Sequence, residues 1–313
     1  MKIESKLILA SKSAVTGVNL YTFVLTYPRV ILAEVNTHRM LSRNTASSRA
    51  IPSKKQRERV LQDPFLPVTI GQNQKGMQAG AELSGWRRTA AYKTWEYTRY
   101  VNVFASYLLD KLGAHKQVVN RIVEPWTYTQ QVVTATDLKN VFKLRNHKDA
   151  EPHFQIIAKQ MQEQVEYVEL LFEKALPPEM WKDDKLYRRR LELYGMPKGI
   201  GVIQVLRPGE WHLPFVDDDE LWPGHNYDLA INWEELKQVS TARDARVSYF
   251  LPENGQRSDY SRDLELCGRL STSGHMSPFE HIATPLETAT YMGNFKGWKQ
   301  YRKEFEQEAG GDR

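Results

Sequence analysis

The longest helical pattern in the chain sets the first constraint on its fold. From about Glu82 to Leu112 the apolar residues Trp86, Ala90, Trp95, Tyr97, Val101, Phe104, Leu108 and Leu112 recur mostly at three- and four-residue spacing, and Gly113 supplies a stop. A second long pattern opens at Pro152, a residue suited to a first helical turn, and carries Ile156, Met161, Val165, Val168 and Leu171 to about Lys174. Shorter helices are expected over 29–38, 116–123, 137–144, 233–245 and 257–270. Strand-like runs are fewer: Asn19–Thr26 (NLYTFVLT), Thr127–Thr136 (TYTQQVVTAT) and Ile282–Met292. This mixture reads as α+β, with long helices packed on a small mixed or antiparallel sheet. The 313 residues are expected to form one domain, with the irregular stretch 175–230 as strands and loops inserted into it.

Composition narrows the setting. No apolar run approaches the ~20 residues of a membrane span. The opening MKIESKLILASKSAV is too short and too charged for a signal peptide. The single cysteine, Cys267, allows no intrachain disulfide, and a cytoplasmic location is expected. Net charge is +5, which suits anionic partners. A nucleic-acid-binding protein is the competing class, but no nucleic-acid motif accompanies the charge, and no stable nucleic-acid partner is expected.

Three segments concentrate chemistry. Thr37–Arg49 (THRMLSRNTASSR) holds His38, Arg39, Ser42, Arg43, Asn44, Ser47, Ser48 and Arg49 without one acid. Arginine forks and serine hydroxyls in that density suit a phosphate. Gly274–His281 (GHMSPFEH) offers His275, Ser277, Glu280 and His281, but Pro278 interrupts it and its spacing is not that of a zinc helix, so no metal is expected. Leu144–Gln155 (LRNHKDAEPHFQ) places Arg145, His147 and His153 between two helices. Leu264, Cys267 and Leu270 stand at i, i+3, i+6, which points Cys267 to packing rather than nucleophilic attack on a pyrimidine.

Together these segments resemble the flavin-dependent thymidylate synthases. The family's Arg-His-Arg signature stands here as Thr37-His38-Arg39, followed by Ser42, Asn44, Ser47 and Arg49. Its Ser-Pro-Phe-Glu-His turn stands as Gly274–His281, its Ala-Arg-Val-Ser-Tyr stretch as Ala245–Tyr249, and its AQPEIR segment is echoed by Leu144-Arg145 and Ala150–Gln155. The order is permuted: the turn follows the Arg-His-Arg segment here and precedes it in common members, a form associated with bacteriophage-type relatives. Thr37, Thr45, Glu151, His153 and Gln155 depart from the family pattern.

The resemblance implies a fold of that family and an FAD-dependent methyltransferase acting at subunit junctions of a homotetramer. Such an enzyme moves a one-carbon unit from methylenetetrahydrofolate to C5 of dUMP, with NADPH as reductant. It implies flavin contacts from His38, Arg39, Asn44, Arg145, His275, Ser277, Glu280 and His281. Ser47, Ser48, Arg49 and Gln155 would hold nucleotide. Ser47 and Arg49 would be catalytic, Arg49 stabilising charge on the pyrimidine. Gln300 and Arg302 are candidates for contacts that Thr37 cannot make. A related reading keeps the scaffold and transfers a methyl or hydroxymethyl group to dUMP or dCMP, since Glu34 and Glu151 stand where the family usually has Gln.

Overall fold

A computed structural model describes residues 3–174, 187–190, 201–226, 229–251 and 255–308. In chain order its strands are β1 (Glu4–Ser13), β2 (Asn19–Pro28), β3 (Ser42–Thr45), β4 (Tyr128–Ala135), β5 (Tyr187–Arg190), β6 (Val202–Leu206), β7 (Ala283–Pro285), β8 (Tyr291–Met292), β9 (Phe295–Lys296) and β10 (Trp298–Gln300). The helices are α1 (Leu32–Val35), α2 (Ser53–Gln62), α3 (Gly85–Lys111), α4 (Lys116–Val119), α5 (Lys139–Arg145), α6 (Pro152–Lys174), α7 (Asp218–Leu221), α8 (Trp233–Arg246), α9 (Tyr260–Thr272) and α10 (Arg302–Glu308).

Six strands form one sheet in the order β3-β4-β2-β1-β6-β5. Neighbours run antiparallel except β1 and β6, which are parallel. The architecture is α+β, as the helix and strand patterns require. Within 175–230, β6 adds to β1 and β5 closes the edge of this sheet, while the loop around His212 and α7 lie outside it.

One sheet face is covered by α6. Phe154, Ile157, Met161, Val165, Val168 and Phe172 recur at helical spacing and meet Leu7, Tyr21, Phe23, Leu25, Val133 and Ile203. Each such side chain, fully buried, contributes about 1.5–3 kcal/mol. The first strand is absent from the sequence reading, in which the opening MKIESKLILASKSAV is assigned no element. A β-bulge explains its weak pattern. The register with β2 slips between Leu7 and Leu9, so Leu7 shares the face of Phe23 while Leu9 shares the face of Thr22. Beyond the slip, Ser11 points away from α6, and apolar alternation is lost at the strand centre.

The opposite face is covered by the loop around His212 and by the chain's later segment. There Leu20, Leu206, Ala283, Phe295 and Trp298 form a second core, and the Trp298 indole donates to the Val18 carbonyl at 3.2 Å.

Several boundaries differ from expectation for identifiable reasons. The 29–38 helix divides into a 3-10 turn, Arg29–Ile31, and α1. The 116–123 helix is α4 followed by a 3-10 turn that accommodates Pro125. The helix expected from Arg257 begins at Tyr260, because the Asp259 carboxylate accepts from the Arg262 amide as its N-cap. The 282–292 strand reduces to β7 and β8. The largest difference is in α3. Trp95 and Val103 pack toward α2, yet Tyr97, Tyr100, Val101, Phe104, Tyr107 and Leu108 are exposed.

Candidate functional site

The short edge strand β3 is where the chemistry-bearing segments meet. It pairs only with β4, in register Ser42↔Thr134 and Asn44↔Val132. The buried Ser42 hydroxyl accepts from the Gln300 amide at 2.9 Å and from the Asn294 amide at 3.0 Å. Asn44 donates to the Asp244 carbonyl at 2.7 Å and the Ala245 carbonyl at 3.3 Å, and its side-chain oxygen accepts from the Ser277 hydroxyl at 3.3 Å. Residues 37–49, 245–249, 274–281 and 293–303 are thus gathered around four residues of strand, although more than two hundred positions separate Asn44 from Ser277.

At one end of β3, His38 is buried and its Nε2 accepts from Arg145 Nε at 2.9 Å. Burial and the charges of Arg145 and Arg43 hold the imidazole below its ordinary pKa, so it is the neutral acceptor this bond needs. Arg145 lies over the Phe154 ring, 4.8 Å from its centroid, and its second nitrogen reaches the Thr37 hydroxyl at 3.4 Å. Glu34, Glu151 and His153 stand beside this group. Burial, then the Glu151 charge, raises the Glu34 pKa, and Arg145 and His153 oppose the rise. Gln155 is half-buried on the first turn of α6.

At the other end, Ser47 and Arg49 are exposed, as is Arg39 near His38. Neither Arg39 nor Arg49 pairs with a carboxylate among the described residues. Ser48 faces the other way. It is buried and its hydroxyl donates to Glu124, which also pairs with Arg29 at 3.2 Å. Behind it lies a partly open cavity of about 250 Å³ lined in part by Arg29, Gln56, Trp126 and Tyr128. The Ser48 hydroxyl is thus bonded inward to Glu124, while Ser47 and Arg49 are exposed.

Two further residues of the expected site, His281 in the Gly274–His281 turn and Gln300 nearby, are buried. His281 is fully buried, with Nδ1 bonded to the Thr134 hydroxyl at 2.8 Å, so it stands behind the surface rather than on it. Burial pushes its pKa down to about 3. Gln300 ties Ser42 to the Glu280 carbonyl at 3.0 Å, an interior strut rather than a ligand contact. Arg302 pairs with Glu280, which neutralises the one acid of the turn. Ser277 and Glu280 are half-buried; His275 is exposed and bonds the Ser273 hydroxyl at 2.9 Å.

Sequence reasoning missed Asp244. Its carboxyl is fully buried with neither oxygen hydrogen-bonded, and burial raises its pKa well above the usual carboxylate range. It sits on α8 just before Val247, which ends the helix at φ +57°, a left-handed conformation unusual for a β-branched residue. Cys267 is buried and its thiol pKa is pushed up to about 11, which suits packing and not a thiolate nucleophile. Among the described residues no three His, Cys, Asp or Glu side chains gather as a metal ion would need, and no helix is long and apolar enough to cross a membrane.

A mixed sheet backed by one long helix, with a donor-rich edge strand near which Arg302 pairs Glu280 and Arg29 pairs Glu124, defines the α+β architecture of this protein. The family model described as thymidylate synthase complementing protein matches residues 6–169, just over half of the chain, and the chain belongs to that family. The match contains β3 and most of α6 and stops before the Gly274–His281 turn. No curated protein matches. Among solved structures, the chain is similar to a UMP/dUMP methylase PolB from Streptomyces cacaoi bound with 5-Br UMP, at 14% identity and TM-score 0.42, covering 54% of this chain and 90% of that one. The same enzyme bound with 5-Br dUMP gives 15% identity and TM-score 0.44, with 54% and 91% covered.

Proposed function

We propose that this chain is a flavin-dependent thymidylate synthase, methylating C5 of dUMP with a one-carbon unit from methylenetetrahydrofolate, and with FAD reduced by NADPH. The observation that carries this reading is the convergence on β3 of segments from both ends of the chain, joined by the Asn44–Ser277 and Ser42–Gln300 bonds. Membership of the family supports the same reading.

The residues fit an anionic, aromatic cofactor. Arg39, Ser47 and Arg49 present donors with no carboxylate competing for the two arginines, and Arg145 lies over the Phe154 ring while donating to His38. FAD when bound supplies the hydride; the chain's own residues hold and orient. In this reading Arg39, Asn44, Arg145, His275, Ser277 and Glu280 face the flavin, with His38 and His281 positioning from behind. Ser47 and Arg49 would hold the nucleotide, and the Arg49 guanidinium would stabilise negative charge developing on its ring. The exposed stripe of α3 supports assembly into a homotetramer, in which neighbouring subunits would complete each site.

A second substrate reading rests on Glu34. A carboxyl group next to Glu151 can accept from the amino group of cytosine, which would make dCMP a substrate. Purified protein loaded with FAD and freed of excess should keep a visible flavin spectrum that shifts on adding dUMP. A shift with dCMP alone would select the second reading, and loss of all flavin would sink both.

A further inference from the structure

A single buried row of polar side chains crosses the sheet on the face away from α6. Arg188 on β5 stands opposite Gln204 on β6, Gln204 opposite Ser11 on β1, and Thr22 on β2 opposite Thr134 on β4. The bulge in β1 brings Ser11 onto this face, and His212 bridges the remaining step. Every neighbour is bonded to the next: Arg188 Nη1 to Gln204 Oε1 at 2.8 Å, Gln204 Nε2 to Ser11 Oγ at 2.8 Å, Ser11 Oγ to His212 Nδ1 at 2.6 Å, His212 Nε2 to Thr22 Oγ1 at 2.7 Å, Thr22 Oγ1 to Thr134 Oγ1 at 2.7 Å, and Thr134 Oγ1 to His281 Nδ1 at 2.8 Å. The members from Gln204 to His281 are all 1% exposed or less, so no solvent intervenes.

The direction of the row follows from its first member. A guanidinium can only donate, so the Gln204 oxygen must face Arg188 and its NH2 must face Ser11. Ser11 then accepts, and its one proton goes to His212 Nδ1. His212, neutral in this setting, carries its proton on Nε2 and donates to Thr22. Thr22 donates to Thr134, and Thr134 donates to His281 Nδ1. The reverse polarity would leave both the Ser11 hydroxyl proton and the His281 Nε2 lone pair without a partner; the forward polarity leaves only the His281 Nε2 proton unmatched.

We propose that Arg188, Gln204, Ser11, His212, Thr22 and Thr134 act as positioning residues that set the tautomer of His281, from the far edge of the sheet, as the Nε2–H form. His281 closes the Ser277–Glu280 turn and is bonded to β4 through Thr134, so the row joins the β5 edge to the turn beside β3. Aligned dipoles reinforce one another along such a chain, which makes the terminal N–H a strong, one-way donor. Its bearing on catalysis rests on the proposed function; the tautomer itself does not.

Long-range proton–nitrogen NMR of the histidine rings in ligand-free protein tests the row. Both His212 and His281 should show protonated Nε2 and bare Nδ1, unchanged between about pH 5 and 8. The decisive variant is Gln204→Glu. A carboxylate at that position accepts from Arg188 and Ser11 alike, so every later bond reverses and His281 should switch wholly to the Nδ1–H form, several links from the substitution. A folded Gln204→Glu protein whose His281 keeps the wild-type tautomer would overturn the proposal. Should that variant fail to fold, Thr22→Val cuts the row at its middle and should leave His281 in a mixture of tautomers; an unmixed Nε2–H signal there would mean Thr134 acts alone and the proposal fails. Wild-type protein that shows both expected tautomers yet binds no flavin would sink the function and leave the row standing.

Discussion

Arg49 and Asp244 mark two ways in which single residues express the site. Arg49 is exposed and has no carboxylate partner among the described residues. A charge-assisted bond to phosphate contributes about 1.5–3 kcal/mol. Arg49→Ala should therefore weaken dUMP binding by roughly 10- to 100-fold in a titration followed through the flavin spectrum, with flavin retention little changed; unaltered affinity would remove Arg49 from the nucleotide site. Asp244 is buried without a partner for either oxygen, and its pKa is raised in the folded state. The folded chain holds this proton after the unfolded chain has released it, so the group's contribution falls as pH rises above about 3.9 and toward the folded pKa. Asp244→Asn should flatten that decline, and its melting temperature should exceed wild type by more at pH 8 than at pH 5. Equal differences at both pH values would mean the carboxyl does not titrate as its burial implies. At this scale the sequence displayed the donors of Thr37–Arg49 by density alone. It could not display which way each points: Ser47 and Ser48 are adjacent, yet one is exposed and the other is bonded inward to Glu124.

Among the elements, α6 was legible because its buried face repeats at helical spacing, and β2 and β4 because they are rich in β-branched and aromatic residues. β1 was hidden. Its bulge breaks the alternation, and its inward face on the far side of the sheet carries Ser11 and Ser13, which read as polar. Helix α3 was legible as a helix and misleading as to its partner. Its spacing suggested burial in the core, yet Phe104 is 60% exposed and the stripe around it faces outward. If the stripe is the contact between subunits, Phe104→Glu should lower the mass seen by sedimentation while the circular dichroism of the helices persists. An unchanged mass with an oligomeric wild type would place the interface elsewhere.

On the scale of the molecule, two buried histidines link stability to acid. Burial holds His212 and His281 neutral in the folded chain, and both take up protons once unfolded. Stability is thus lost as pH falls below the unfolded value of about 6.5, by about 2 kcal/mol for His281 alone down to pH 5. Urea midpoints at the two pH values should show this loss, and His281→Gln should lessen it; a variant with the full wild-type acid sensitivity would exonerate His281. The permuted order of motifs was visible in the sequence, but the reason it works was not. The turn at 277–281 reaches β3 because β10 pairs with β7 and Gln300 bridges to Ser42, contacts that no spacing reveals. That late arrival has a consequence for synthesis. A ribosome adding about 5–20 residues per second finishes β6, the last strand of the sheet to be made, roughly 5–20 s before it adds Trp298. During that interval the polar side of the sheet lacks the cover of Ala283, Phe295 and Trp298, and a nascent chain is most open there to chaperones and to mispairing with its own kind.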